Sequence, residues 1–176
     1  GYSNNQIINL NEGTFSNAGQ GKGNIAIAYG ATIENAVGGT GQDTIYGNEV
    51  VNSIWGGDGN DTVYGSIGSD TIDGQGGTGD VITYSYDISA FLVSLVNSVT
   101  LTLEHIAGAW TDTISNIENF IFSGVEYTFA EMQQFDSGLG DIAFSFETGT
   151  GNYVYTSTSS SDPVTLTAAG MNYNSG

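Results

Sequence analysis

Aspartates at a fixed spacing are the residues of this chain best placed to do chemistry. Asp43, Asp61 and Asp70 each stand sixth in a nine-residue unit. Consecutive units from Gly38 to about Val81 read GGTGQDTIY, GNEVVNSIW, GGDGNDTVY, GSIGSDTID and a slipped GQGGTGDVI. If two units complete one coil, residues eighteen apart stack on one side: Glu34, Asn52 and Asp70 form one row, and Asp43, Asp61 and the slipped Asp80 the other. A column of like charges at that spacing repels itself unless a cation lies between the turns. Carboxylate and carbonyl oxygens together select Ca²⁺ over metals that prefer thiolate or imidazole, so the expected cofactor is Ca²⁺, several ions of it.

The elements that must position these rows follow from the rest of each unit. Gly38, Gly39, Gly41, Gly56, Gly57 and Gly59 recur where the chain has to turn back with its carbonyls aimed inward, which favours residues without a Cβ. Ile45, Ile54, Val63, Ile72 and Val81 fall at the eighth position of successive units, so one β-branched side chain per turn is expected in a narrow shared core. Gln6–Leu10 and Asn24–Tyr29 read as short strands that cap the first coil. The expected fold is all-β: capping strands and a parallel β-roll over residues 1–83, then antiparallel strands packed as a small sandwich over 84–156, then a linker or tail over 157–176. Thr128 and Glu131 predict a capping box for one short helix near Phe129 to Phe135. Alternation at Leu101-Thr102-Leu103, Phe144-Ser145-Phe146 and Tyr153/Tyr155 predicts strands with one buried face.

Composition excludes several functions. The 176 residues carry a single Lys or Arg against nineteen acids, a formal charge of −18, which excludes nucleic acid and anionic membranes as partners. No cysteine is present, so neither a disulfide framework nor a thiolate metal site is available. High glycine content with few basic residues often signals disorder, but here the glycines are periodic and aromatic residues are plentiful, which points to folding conditional on a metal. The opening Gly1-Tyr2-Ser3-Asn4 has no initiator Met and no signal-peptide pattern, and reads as the start of a segment cut from a longer chain.

The units are similar to the G-G-x-G-x-D-x-U-x nonapeptide of RTX (hemolysin-type) calcium-binding proteins. The runs Ile8-Asn9-Leu10-Asn11-Glu12-Gly13-Thr14-Phe15-Ser16, Gly23-Asn24-Ile25-Ala26-Ile27-Ala28-Tyr29-Gly30 and Thr32-Ile33-Glu34-Asn35-Ala36, leading into Gly38-Gly39, resemble the C-terminal domain of serralysin-type (M10) metalloproteases over roughly residues 4–83. That resemblance implies a β-roll behind a zinc protease domain, type I secretion from a Gram-negative bacterium, and calcium bound turn by turn. The ligands it implies are Thr32 and Glu34; Gly39, Gly41 and Asp43; Asn48, Val50 and Asn52; Gly56, Gly57, Asp58, Gly59 and Asp61; Gly65, Ile67 and Asp70; and Asp80. Asn48 and Val50 replace glycines, Asn52 replaces an aspartate, and Ser66 replaces another glycine, so weaker sites are expected in those units. The slipped fifth unit reads as the end of the roll.

Catalysis finds little support. The protease's H-E-x-x-H helix needs two histidines and the chain has one. Glu104 and His105 are adjacent on an expected strand and would point to opposite faces. The stacked carboxylates fit metal ligation better than a glycosidase pair. The expected function is therefore a non-catalytic calcium-binding module on the C-terminal side of a secreted, extracellular protein, folding on external calcium; its partners would be the upstream domain of the same polypeptide and the type I secretion machinery. The alternative is a binding or adhesion module that presents the second sheet, after residue 83, to a polysaccharide or a cell surface, supported by an outward aromatic column of Tyr46, Trp55 and Tyr64 and by Trp110 in a loop.

Overall fold

The computed structural model describes residues 3–136. Strands β1 (Ile7–Asn9), β5 (Thr44–Tyr46), β7 (Thr62–Tyr64), β9 (Val81–Tyr84), β13 (Asn119–Phe122) and β14 (Val125–Thr128) form one six-stranded sheet in that order. The second has the order β10 (Phe91–Asn97), β11 (Thr100–His105), β12 (Thr111–Ser115), β8 (Thr71–Gly76), β6 (Ser53–Asp58), β4 (Asn35–Gly39). Strands β2 (Phe15–Ser16) and β3 (Ile25–Ala26) pair separately in the loop after β1. The chain alternates between the sheets, one strand each per unit, because each nine-residue unit holds one glycine turn and one short β-branched run. This is the expected all-β parallel roll.

Register makes the core a pair of side-chain columns. In the first sheet Ile8, Ile45, Val63, Ile82 and Phe120 are successive partners; in the second Ala36, Ile54, Ile72, Ile114 and Leu101 are. Both belong to one hydrophobic cluster, in which all of these except the half-buried Ile8 are buried. The expectation of Val81 in the core column is corrected to Ile82. Asp61 and Asp80 lie 19 residues apart where Asp43 and Asp61 lie 18 apart. The extra residue is taken up in the turn before β9, which shifts the inward position by one.

The slipped unit does not end the roll. β9 is followed by an excursion over residues 85–110 that contains the β10–β11 hairpin, after which β12 and β13 re-enter the two sheets in parallel beside β8 and β9. The antiparallel strands expected after residue 83 are present as β10–β11–β12 and β13–β14, but they extend the roll's own sheets. The boundary expected at residue 83 therefore does not separate two cores: Tyr84, Phe91, Trp110 and Phe122 are buried in the same cluster as Ile45 and Ile54. The described residues 3–136 lie within one compact unit. The strands expected around Phe144-Ser145-Phe146 and Tyr153/Tyr155, and the linker at 157–176, lie outside the described residues. The helix is Phe129–Met132, continued by a 3₁₀ turn over Gln133–Phe135, and both hydrogen bonds of the Thr128/Glu131 capping box are present.

The register shift has a direct test. Ile82→Ala is expected to cost about 2–5 kcal/mol in chemical denaturation, the range for emptying a fully buried aliphatic site. Val81→Ala, on the half-buried outer face, is expected to cost less than about 1 kcal/mol. Equal costs would restore the unshifted column.

Candidate metal centre

Each turn places its acid immediately before a strand, and the carboxylate reaches back to the turn before it. The Asp43 N–H donates to Asp61 Oδ1 at 2.8 Å, the Asp61 N–H to Asp80 Oδ1 at 2.7 Å and the Asp80 N–H to Glu118 Oε2 at 2.8 Å. The ladder starts with the Gln6 N–H on Asp43 Oδ1 at 2.7 Å. These residues precede strands of the first sheet. On the other edge the Asn52 N–H donates to Asp70 Oδ1 and the Asp70 N–H to Asp112 Oδ1, both at 2.8 Å. The two expected rows are thus brought together as columns, with two qualifications: Glu34 stands in register at the head of its row, its carbonyl accepting the Ser53 N–H at 2.8 Å, but is exposed, and each column runs one acid further, to Glu118 and to Asp112.

Those last acids escaped the sequence reading because the excursion hides them. Asp70 and Asp112 are 42 residues apart, not eighteen. The signal was present: Asp112-Thr113-Ile114 repeats Asp70-Thr71-Ile72, and Ile117-Glu118-Asn119 repeats Ile33-Glu34-Asn35.

Around the first column the turns are lined by main chain. Gly57 and Gly59 have φ of 115° and 116°, a region closed to most side chains, and a Cβ on either would collide with the carbonyl of Gly39 or Gly41 in the neighbouring turn. A Cβ on Gly56 would lie against Asp61 Oδ2 and 2.8 Å from the Gly74 carbonyl oxygen; one on Gly38 would lie 2.6 Å from Asp43 Oδ2 and against the Gly56 carbonyl. One on Gly74 would lie 2.7 Å from Asp80 Oδ2 and against the carbonyl of Asn116, a residue at φ 51°. Each interval is a cradle of oxygens from two turns.

Asp61 decides whether a cation fits. It is 1% exposed, and its Oδ2 is buried without a hydrogen-bond partner. A buried carboxylate oxygen with nothing to accept is costly, and neighbouring carbonyls cannot relieve it, since they too are acceptors. A hard divalent cation satisfies carboxylate and carbonyls at once. Among the described residues no three His, Cys, Asp or Glu side chains converge, so such an ion would draw largely on carbonyls. Of the residues expected to ligate, Gly39, Gly41, Asp43, Gly56, Gly57, Gly59, Asp61 and Asp80 line this column. Asp58 is exposed on its rim, with a carboxylate oxygen facing Gly76. Asn48, Val50, Asn52, Gly65, Ile67 and Asp70 line the opposite edge, where Val50 and Ile67 are exposed, and the exposed Thr32 borders a cleft of about 400 Å³ with Glu12, Asn48 and Glu49.

The aromatic column is corrected. Two units make one coil, so Tyr46 and Tyr64 share one sheet and Trp55 lies on the other, between Val37 and Asp73. The two tyrosine rings stack on each other, centroids 4.5 Å apart and planes within 8°, so each covers one face of the other. Trp110 is buried, packed against Tyr84, Phe91 and His105. Glu104 is exposed, while its neighbour His105 stacks on Trp110.

Without a cation, burial favours the protonated form of Asp61, Asp70, Asp80 and Asp112. Burial pushes Asp80 up to about 6, with repulsion from Asp61, Glu118 and Asp73 adding and the Asp61 N–H opposing. Burial raises Asp70 to about 6 and Asp112 to about 7, and raises Asp61 as well. The folded chain therefore binds protons more tightly than the unfolded chain, whose aspartates titrate near 4. The stability this contributes is present at low pH and is lost as pH rises through about 6 to 7. In metal-free buffer the far-ultraviolet β signal is expected to be larger at pH 5 than at pH 8; a signal that grows with pH would contradict the assignment.

The family described as Peptidase M10 serralysin C terminal matches residues 1–165. A stretch of 34 residues is 71% identical to Serralysin C and to Serralysin B of Dickeya chrysanthemi, and a 34-residue stretch is 68% identical to Serralysin A of the same organism. Each alignment covers 19% of this chain and 7% of the relative. A family match over residues 1–165 settles the affiliation: this chain belongs to the serralysin C-terminal family of the M10 peptidases.

Proposed function

We propose that this chain is a non-catalytic calcium-binding module of a secreted protein, and that it completes its fold when it meets extracellular calcium. The observation that carries this reading is the buried, partnerless Asp61 Oδ2, which shares the space beside Gly56 with the carbonyl of Gly74 in the next turn. A bound Ca²⁺ would supply the positive charge that lets stacked carboxylates and carbonyls share one interval. The chain itself does the rest: the carboxylates receive the N–H groups of the preceding turn, which sets the coil spacing, and the aliphatic columns close behind them.

Charge and core support a conditional fold. Nineteen acidic side chains are opposed by one basic side chain, Lys22, leaving a formal charge of −18. From β4 to β8 each half-coil buries only one aliphatic side chain between the sheets. An unfolded acidic chain suits passage through a secretion channel from a cytosol poor in calcium, and arrival in a calcium-rich medium would switch it to the roll. The resident domain upstream would be the catalytic or binding domain that the serralysin relatives suggest, with the module contributing stability and export competence. Affinity is expected in the range of extracellular modules, about 10⁻⁴ to 10⁻³ M.

Circular dichroism at neutral pH tests the switch. The expected result is a coil-like spectrum in chelator that converts to β on adding calcium at about 10 mM, well above that affinity range, and reverts on chelation. Magnesium at the same concentration is expected to convert far less, because it demands a tighter octahedral shell than a carbonyl cradle offers. Identical β content with and without calcium would remove the switch.

A further inference from the structure

The two edges of the roll are built differently, and the difference is chemical. On the edge of Asp43, Asp61, Asp80 and Glu118, the first glycine of each turn (Gly38, Gly56, Gly74) faces a carboxylate oxygen and a carbonyl of the next turn. On the edge of Asn52, Asp70 and Asp112, the corresponding glycines face the side chains of Ser66, Asn52 and Tyr84. A Cβ on Gly47 would lie 2.7 Å from Ser66 Oγ, and one on Gly65 would lie 2.7 Å from Cζ of the Tyr84 ring.

Those side chains make the bonds an ion would otherwise make. Asn48 Nδ2 donates to the Leu10 carbonyl at 3.0 Å and to the Ile33 carbonyl at 2.8 Å, gathering oxygens from two turns. Asn52 Nδ2 donates to Asn48 Oδ1 at 3.0 Å, and Asn52 Oδ1 receives the Asn48 N–H at 2.9 Å. One coil on, Ser66 Oγ donates to the Asn48 carbonyl at 2.6 Å and lies 3.4 Å from Asp70 Oδ2. At the last interval the Tyr84 hydroxyl donates to Asp112 Oδ2, its ring sealed between Phe122 and Trp110. An amide, a hydroxyl and a phenol thus stand in successive intervals as side-chain donors, whereas on the opposite edge the Gly39 N–H answers Asp43 Oδ2 at 2.6 Å and Asp61 Oδ2 has no donor.

We infer that the roll takes up calcium along one edge only, the Asp43–Asp61–Asp80–Glu118 column, and that Asn48, Ser66 and Tyr84 close the other edge with hydrogen bonds of the chain itself. The inference rests on the calcium reading above and refines where its ions lie. Asp80, Asn116 and Glu118 then form the last interval of the loaded edge, beyond the repeats. The closed edge needs no ion, which leaves the calcium dependence to one face of the coil.

Native mass spectrometry of residues 1–176 in millimolar calcium counts the ions. Asp61→Asn is expected to lower the count by at least one, and Asp70→Asn to leave it unchanged; an equal loss in both overturns the one-edge assignment. Should either variant fail to fold, wild-type crystals soaked in terbium give the same answer. Anomalous peaks are expected beside Gly38, Gly56 and Gly74, and comparable peaks beside Gly47 or Gly65 overturn the inference. No ion on either edge overturns the calcium reading itself, and the one-edge assignment falls with it.

Discussion

A buried carboxylate that accepts the backbone N–H of the preceding turn is the interaction on which the rest of this structure depends. It fixes the height of each coil at the spacing of neighbouring parallel strands, about 4.8 Å, without any tertiary contact from outside the roll. It also creates the roll's main liability. One oxygen of each acid is used by the N–H, and at Asp61 the other is left with no partner. A stack of such groups is stable only where protons, donor side chains or a cation answer the second oxygen. The proposed calcium dependence would thus be a consequence of how the coil is indexed, with no need for a separate binding domain.

The excursion over residues 85–110 shows how tolerant that indexing is. The chain leaves after Tyr84, builds the β10–β11 hairpin on the edge of one sheet, and returns with Asp112 and Glu118 in the positions a further coil would have filled. The Asp70 N–H meets a carboxylate whether the acid lies eighteen residues on or, as here, 42. Insertion is cheap because only the turn residues and the inward side chain have to be restored. Tyr84 marks the departure point and does two jobs: its ring fills the core against Phe91 and Phe122, and its hydroxyl answers Asp112.

Much of this was legible in the residues. Period nine, with glycine first, an acid sixth and a β-branched residue eighth, yields a two-sided coil with paired columns, and Asp43, Asp61 and Asp70 stand where that arithmetic places them. Arithmetic failed where the period broke. One additional residue before Asp80 moved the inward position from Val81 to Ile82, and the excursion concealed Asp112 and Glu118. The outward aromatics were misread for a different reason: ninth-position residues alternate between sheets, so Trp55 does not join Tyr46 and Tyr64. The chemical difference between the edges was visible only as missing glycines at Asn48 and Ser66. That those side chains bond across the interval required coordinates.

The measurement closest to the central claim is the dependence of folding on free calcium. Urea unfolding at neutral pH, repeated across calcium concentrations, yields the folding constant at each, and its logarithmic slope is the net number of ions taken up as the chain folds. A slope greater than one, abolished or reduced by Asp61→Asn, is expected if cations complete the carboxylate column. A slope of zero, with the roll folded equally well at every calcium concentration, contradicts it.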